Sequence, residues 1–197
     1  MPTERQKMIA GEPYDALDPA LVEARVRARS LCRALGTLDP VADAAEYRRL
    51  LDTLFQAPTD AFVTPPFFCE YGDNTTLGEN VYFNTQCVII DVAPVSIGHG
   101  TLIGPAVQIY TATHPTDLAG RRRGIESGKP VVIGAEVWLG GAVVICPGVT
   151  IGDGSVIGAG SVVTRDVPPG VLAAGNPCRV IRVLHDGEAP AQAALLR

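Results

Sequence analysis

The sequence predicts a mainly β fold in which the chain coils in short parallel strands, preceded by a group of helices. The first observation is a six-residue repeat over residues 131–163, where an aliphatic residue recurs at every sixth position. Neither an α-helix nor an alternating strand has this period, whereas a solenoid of stacked coils does. The second observation is a helical pattern confined to residues 1–57. The third is a polar stretch at residues 111–130 that interrupts the repeat, which then returns in phase.

The repeat predicts which side chains point into the core of the solenoid. These are Leu77, Phe83, Ile89, Ile97, Ile103, Ile109, Ile133, Leu139, Ile145, Ile151, Ile157 and Val163. The step from Ile89 to Ile97 is eight residues, so we expect a bulge at Ala93-Pro94. We expect residues 167–170 to end the coil and residues 180–184 to form a last short strand.

Capping residues predict where the first two helices begin and end. Thr3 and Gln6 have the spacing of a capping box, and Gly11 can end this first helix. Asp18-Pro19 supplies an N-cap and a first-turn proline for the second helix, which Gly36 ends.

A third helix is predicted from Asp39-Pro40 onward. Its apolar stripe consists of Val41, Ala44, Ala45, Leu50, Leu51, Leu54 and Phe55. We therefore expect an N-terminal helical cap at residues 1–57, a β-helical domain at residues 58–184 that contains the loop excursion 111–130, and a C-terminal tail at residues 185–197.

Composition excludes several classes of function. The net charge of −5 argues against a nucleic-acid-binding protein, because a negatively charged protein does not attract the phosphate backbone. Hydrophobic residues make up 47% of the chain, yet no apolar run is long enough to span a membrane. The first residues are charged and contain no apolar signal core, so we expect a cytoplasmic protein. The five cysteines are scattered and form no C-x-x-C pair, which predicts reduced thiols.

Four segments, taken together with the repeat, resemble a known family. They are TERQKMIAGEPYD, IYTATHP, IESGKPVVIGAEVWLGG and VPPGVLAAGNPCRVIR. With the repeat, they make the chain similar to the sugar O-acetyltransferases, the maltose and galactoside enzymes of the left-handed β-helix superfamily. The resemblance implies left-handed winding, although general rules for parallel crossovers favour the opposite hand. It also implies acetyl-CoA as the donor, a sugar-like acceptor and a homotrimer.

His114 is the predicted catalytic base, because it lies where the repeat gives way to the excursion. A hydroxyl is a poor nucleophile until its proton leaves, and neutral imidazole suits that proton transfer. Glu126, near the end of the excursion, resembles the family's carboxylate that orients this histidine. The alternative for each residue is an ordinary solvated loop side chain.

The resemblance also assigns residues to the acceptor. Asn84 matches the asparagine that holds the acceptor hydroxyl, and Glu70 takes a position where relatives carry aspartate or serine. Arg25 matches an arginine of the cap. Asp15 and Asp18 compete for an acidic position, and the spacing fits neither cleanly.

The residues assigned to the donor are Trp138, Gly141, Ala159, Thr164, Arg165, Arg179 and Arg182. Trp138 falls outside the inward-facing register of the repeat. The resemblance implies that an aromatic residue at this position forms one wall of the donor channel. The N–H of Gly141 would stabilise the oxyanion, and the arginines would hold the phosphates of coenzyme A. Arg121–Arg123 are an alternative phosphate site, which we interpret as a solvated loop tip.

The function that these assignments favour is acetyl transfer from acetyl-CoA to a sugar hydroxyl within a ternary complex. We expect no metal, because His99 and His185 are scattered and a β-helical carbonic anhydrase needs three clustered histidines. Two alternatives stay open. One is an acetyltransferase for another alcohol, such as an antibiotic, an oligosaccharide or serine, and the other is a non-catalytic trimeric scaffold.

Overall fold

The computed structural model describes residues 1–185, so the predicted tail lies outside the described residues apart from His185. The helices within this range are α1 (Glu4–Ile9), α2 (Pro19–Leu35), α3 (Ala44–Phe55) and α4 (Leu118–Arg122). The strands are β1 (Tyr14–Asp15), β2 (Phe62–Val63), β3 (Phe67–Cys69), β4 (Thr75–Leu77), β5 (Tyr82–Phe83), β6 (Cys87–Ile90), β7 (Val95–Ile97), β8 (Leu102–Ile103), β9 (Gln108–Tyr110), β10 (Ala112–Thr113), β11 (Ile125–Gly128), β12 (Val131–Ile133), β13 (Trp138–Leu139), β14 (Val144–Ile145), β15 (Thr150–Ile151), β16 (Val156–Ile157), β17 (Val162–Val163), β18 (Val171–Ala174) and β19 (Arg179–Val183).

Most of these strands form a parallel β-helix of about six turns with three flat faces. Face 1 contains β4, β7, β12 and β15. Face 2 contains β2, β5, β8, β13, β16, β18 and, antiparallel at its end, β19. Face 3 contains β3, β6, β9, β14 and β17. The chain visits the faces in turn, so three edges run along the solenoid, which we call edge 1–2, edge 2–3 and edge 3–1.

The six-residue repeat fills the core of the β-helix as predicted. All of the predicted inward residues except Leu77 are at most 2% exposed, and Leu77 is half-buried. Trp138 is 55% exposed, which confirms that it points outward. The longer step between Ile89 and Ile97 also forms an enlarged corner. There the buried Asp91 carboxylate accepts hydrogen bonds from the N–H groups of Tyr71 and Gly72.

The start of the third helix was predicted too early. Helix α3 begins at Ala44, because Asp39 Oδ1 accepts the N–H groups of Val41 and Ala42 and so forms a separate turn. Val41 is 81% exposed, and the buried stripe of α3 instead includes Tyr47. The first two helices begin and end at the predicted caps, including both hydrogen bonds of the Thr3–Gln6 capping box.

The predicted end of the coil was also wrong. Strand β18 pairs in parallel with β16, so the coil continues past residues 167–170. Those residues form a corner in which Gly170 adopts φ +65°. Prolines, which lack a backbone N–H, are tolerated there because few N–H groups at a corner take part in the hydrogen bonds between strands.

The helices pack against the first coils of the β-helix. The Phe55 and Phe67 rings lie 6.3 Å apart, and Cys32 Sγ of α2 lies 3.8 Å from Cys69 Sγ of β3. The spacing of the cysteines in the sequence does not indicate this contact between two thiols. Within residues 1–185, no helix is long and apolar enough to cross a membrane.

A small antiparallel sheet joins the helical region to the excursion. Its strand order is β1-β11-β10, so a strand from the N-terminal region pairs with a strand from the excursion. The backbone N–H of Asp15 is also held by Glu4 Oε2 at 2.7 Å, which ties β1 to α1. This sheet lies at edge 3–1, where the chain leaves β9 and returns to β12.

Candidate active site

The excursion is an ordered hairpin with a short helix at its tip. In the β10–β11 pair, Ala112 lies opposite Gly128 and Thr113 opposite Ser127, and the hydroxyls of Thr113 and Ser127 are 2.8 Å apart. Extending this register by one residue brings His114 opposite Glu126. His114 is exposed and Glu126 is half-buried, so the imidazole is accessible while the carboxylate behind it is shielded.

The N-terminal strand β1 covers the other side of Glu126. Tyr14 lies directly opposite Glu126 in the β1–β11 pair, and side chains of such a pair share one face of the sheet. The Tyr14 side chain is buried. Three chemically active side chains, those of Tyr14, Glu126 and His114, therefore belong to adjacent positions of three neighbouring strands.

Polar side chains from α2 and from the corner after β3 extend this cluster. Arg25 donates to the hydroxyl of Tyr71 at 2.7 Å and to the carbonyl of Ala16 at 2.6 Å. Its Nε lies 3.7 Å from Glu70 Oε1, and the more exposed Arg29 lies 3.5 Å from the same oxygen. The resulting pocket wall carries both charges and several hydrogen-bonding groups.

Burial raises the pKa of Glu70 above its ordinary value, while the positive charges of Arg29 and Arg25 oppose this shift. The negative charge of Glu126 raises the pKa of Glu70 further, so the two carboxylates lie close enough to interact electrostatically. This coupling connects the excursion to the corner after β3. Arg25, Glu70 and Glu126, predicted separately, therefore belong to one cluster.

Neither of the two competing aspartates points into this cluster. Asp18 caps α2 by accepting the N–H of Ala20 at 3.0 Å. Asp15 is exposed, accepts the N–H of Leu17 at 2.9 Å, and follows Tyr14, so alternation directs its side chain to the other face of β1. The predicted acceptor role of Asp15 stays a prediction without a contact that supports it.

Other predicted residues lie at a different edge of the solenoid. Asn84, Gly141 and Ala159 all occupy corners of edge 2–3, between face 2 and face 3. Among residues 1–185, the N–H groups of Gly141 and Ala159 have no hydrogen-bond acceptor. In the coil that contains Asn84, the four residues of β6 separate edge 2–3 from edge 3–1, a distance of about 13 Å. One chain therefore carries Asn84 and His114 at two different edges of the solenoid.

The remaining donor residues lie on the last coil. Thr164 and Arg165 are exposed directly after β17, and Arg179 and Arg182 belong to β19 at the end of face 2. By contrast, Arg121 donates to the carbonyls of Pro115 and Thr116, and so closes the tip of the excursion. That contact supports the interpretation of Arg121–Arg123 as a loop tip.

Comparison with known proteins shows to which family this chain belongs. The maltose acetyltransferase hexapeptide capping motif matches residues 7–58, and the bacterial transferase hexapeptide (six repeats) matches residues 130–165. Nodulation protein L of Rhizobium meliloti (strain 1021) is 49% identical over 180 residues, which cover 90% of this chain and 97% of that protein. The chain belongs to the family of the maltose and galactoside O-acetyltransferases.

Two solved structures of the family have the same fold over nearly their whole length. A maltose O-acetyltransferase from Clostridium difficile 630 has a TM-score of 0.90 at 44% identity, covering 94% of this chain and 99% of that one. A hexapeptide-repeat acetyltransferase from Vibrio cholerae O1 biovar eltor, complexed with acetyl coenzyme A, has a TM-score of 0.86 at 40% identity, covering 94% and 100%. The predictions of family, fold class and acetyltransferase activity are confirmed.

Three residues of the cluster were missed by the sequence analysis. Tyr14, Tyr71 and Arg29 carry no repeat or helical signal of their own that points to a site. A two-residue strand such as β1 has no detectable period, so the contact between Tyr14 and Glu126 follows only from the paired strands.

Proposed function

We propose that this acetyltransferase moves the acetyl group of acetyl-CoA to a hydroxyl of a sugar of the maltose, glucose or galactoside type. The observation that carries the proposal is the register that brings His114 opposite Glu126, beside a pocket wall of Arg25, Glu70 and Tyr71. Several hydrogen-bonding groups around one base suit a polyhydroxylated acceptor. The maltose activity named for the Clostridium difficile relative supports the same class of acceptor.

In the proposed reaction, His114 removes the proton of the acceptor hydroxyl as its oxygen attacks the thioester carbon. Glu126 stabilises the resulting imidazolium and holds the ring in one tautomer. The N–H of Gly141, which lacks an acceptor among the described residues, stabilises the oxyanion of the tetrahedral intermediate. When the intermediate collapses, the thiolate of coenzyme A leaves and takes the proton from His114.

We propose that the working enzyme is a cytoplasmic homotrimer with each site shared between two subunits. The separation of edge 2–3 from edge 3–1 supports this, because His114 needs an Asn84 and a Gly141 from another copy. Face 2 also carries a continuous outward row of mostly apolar residues in register, formed by Phe62, Tyr82, Leu102, Trp138, Val156 and Leu172. Such a row suits burial against a second copy of the chain.

The proposed donor site runs along edge 2–3 to the last coil. The acetyl coenzyme A bound to the Vibrio cholerae relative supports the same donor here. Trp138 would wall the channel, the corners at Gly141 and Ala159 would hold the pantetheine arm, and Thr164 and Arg165 would contact the phosphates with the arginines of β19.

Replacing Arg179 and Arg182 together by alanine is expected to raise the KM for acetyl-CoA about tenfold or more, because phosphate contacts are lost. The acceptor KM should change little, and the dependence of the donor KM on salt should weaken. Steady-state kinetics at two ionic strengths measure these effects. A matched Arg122→Ala, Arg123→Ala variant of the loop tip is the control, and a larger donor effect in that variant would contradict the assignment.

A panel of acceptors tests the proposed substrate class. With acetyl-CoA as donor and thiol release as the signal, a glucosyl or galactosyl acceptor with a free primary hydroxyl should be acetylated. Its 6-deoxy analogue should react at least about 100-fold more slowly, because the nucleophile is missing and polar groups of the site are left unpaired. The 2-deoxy sugar, which keeps the primary hydroxyl, is the control. Equal rates on the sugar and its 6-deoxy analogue would contradict a primary-hydroxyl acceptor.

A further inference from the structure

The hydroxyl of Tyr14 is buried without a well-formed hydrogen bond among the described residues. Tyr14 is 4% exposed, and the Glu126 carboxylate lies near enough to influence its hydroxyl as an acceptor, but no hydrogen bond of normal geometry reaches the Oη within residues 1–185. Buried hydroxyls normally have partners, because burying one unpaired costs stability that phenylalanine would not. A hydroxyl at such a position gains stability when a neighbouring acceptor turns to pair with it.

The residues around Tyr14 indicate which group can accept a hydrogen bond from its hydroxyl. Tyr14 faces Glu126 across the β1–β11 pair, whereas the neighbouring Tyr71 hydroxyl is already held by Arg25 at 2.7 Å. Burial raises the pKa of Tyr14 above its ordinary value, and Glu126 raises it further through its negative charge and through hydrogen bonding with the phenol. A phenol in this setting stays protonated at neutral pH, so it serves as a hydrogen-bond donor and not as a base.

We infer that Tyr14 is a positioning residue, whose hydroxyl donates to the Glu126 carboxylate in the ternary complex and turns that carboxylate toward His114. The inference rests on the proposed function, because it assigns Tyr14 to the same base and carboxylate. Hydrogen bonds of a catalytic site are often long in the free enzyme and shorten when substrates bind. Since β1 belongs to the N-terminal helical region, this contact makes the helical region part of the catalytic apparatus.

The pairing of the strands makes this role specific to Tyr14. The next residue, Asp15, lies opposite Ile125 and directs its carboxylate to the other face of β1. On the other side of β11 lies β10, and His114 directly follows its last residue, Thr113. Tyr14 and His114 therefore flank Glu126 from the two sides of β11, an arrangement that suits a base oriented by a carboxylate that is itself oriented by a third group.

The test compares Tyr14→Phe with Tyr47→Phe. Tyr47 is another buried tyrosine, but its hydroxyl bonds the carbonyl and the N–H of Val63, far along the chain from the excursion. Tyr14→Phe is expected to lower kcat about tenfold, leave the KM for acetyl-CoA unchanged and keep or raise the melting temperature. Tyr47→Phe is expected to lower the melting temperature and keep kcat, because only a structural hydrogen bond is lost.

The pH profile separates positioning from a purely structural role. Without the Tyr14 donor, the Glu126 carboxylate is no longer held toward His114, so it stabilises the imidazolium less and the proton leaves at lower pH. The acidic limb of kcat, which reports the complex with bound substrates, should therefore move to lower pH in Tyr14→Phe and stay in place in Tyr47→Phe. An unchanged kcat in Tyr14→Phe overturns the inference, as does a raised acceptor KM with an unmoved acidic limb. Wild-type enzyme that acetylates no sugar would instead contradict the proposed function.

Discussion

Replacing His114 by alanine is expected to lower kcat at least about 100-fold while the KM for acetyl-CoA stays nearly unchanged. The reason is that a general base contributes to the transition state, typically by about 10²–10⁴-fold, and has no contact with the donor's phosphates. Steady-state rates of thiol release, measured at saturating donor and acceptor, give the effect on kcat. The donor KM, determined separately, shows whether binding has been disturbed.

His99→Ala is the matched control for this experiment. His99 is also an exposed histidine at a corner of the solenoid, but it lies at edge 1–2, away from the excursion. Its removal should leave both kinetic constants within about twofold of the wild-type values. A His114→Ala enzyme with wild-type turnover would remove His114 from the proposed mechanism, whatever His99→Ala does.

Mixing two inactive variants is expected to restore activity if each site is shared between subunits. His114→Ala chains keep Asn84, and Asn84→Ala chains keep His114. A cyclic trimer that contains both kinds of chain has one interface at which both intact residues meet, whichever chain is present twice. Mixed trimers should therefore recover about one third of the wild-type activity, because one of their three sites is intact.

The mixed trimers are made by co-expressing the two variants with different affinity tags and purifying over both resins in succession. Each variant alone, co-expressed in two tagged forms and purified in the same way, is the control and should stay inactive. Native mass spectrometry measures the composition of every sample. Intact mixed trimers without recovered activity would mean that Asn84 and His114 do not act across one interface.

The regular part of the fold could be predicted because each coil repeats the same short rule. An aliphatic residue every sixth position is enough to assign Ile133 or Ile145 to the core, and both are buried. Helix caps are equally local signals, so the ends of α1 and α2 were predicted correctly. The errors arose where a local signal had two meanings. Asp39-Pro40 forms a turn before α3, and residues 167–170 form one more corner of the coil.

The candidate site was predictable only in part, because its contacts are not local. The family resemblance pointed to His114, Glu126, Glu70 and Arg25, and the structure brings Glu126, Glu70 and Arg25 close enough to influence one another. The role of Tyr14 depends on a pairing between two short strands from distant parts of the chain, which no periodicity encodes. The separation of Asn84 from His114 likewise depends on which edge of the solenoid each corner occupies.

The pairing of β1 with β11 also has a consequence for the order in which the protein assembles. Each coil of the solenoid contacts only its neighbours, so coils can form one after another from short-range contacts along the chain. Tyr14 and Glu126 are more than a hundred residues apart, and their contact closes a far longer loop than any between successive coils. We therefore expect the sheet that carries the proposed base to form after the coils. On mild warming, we also expect this sheet to open before the solenoid beneath it, so that catalysis is lost while the coils remain folded.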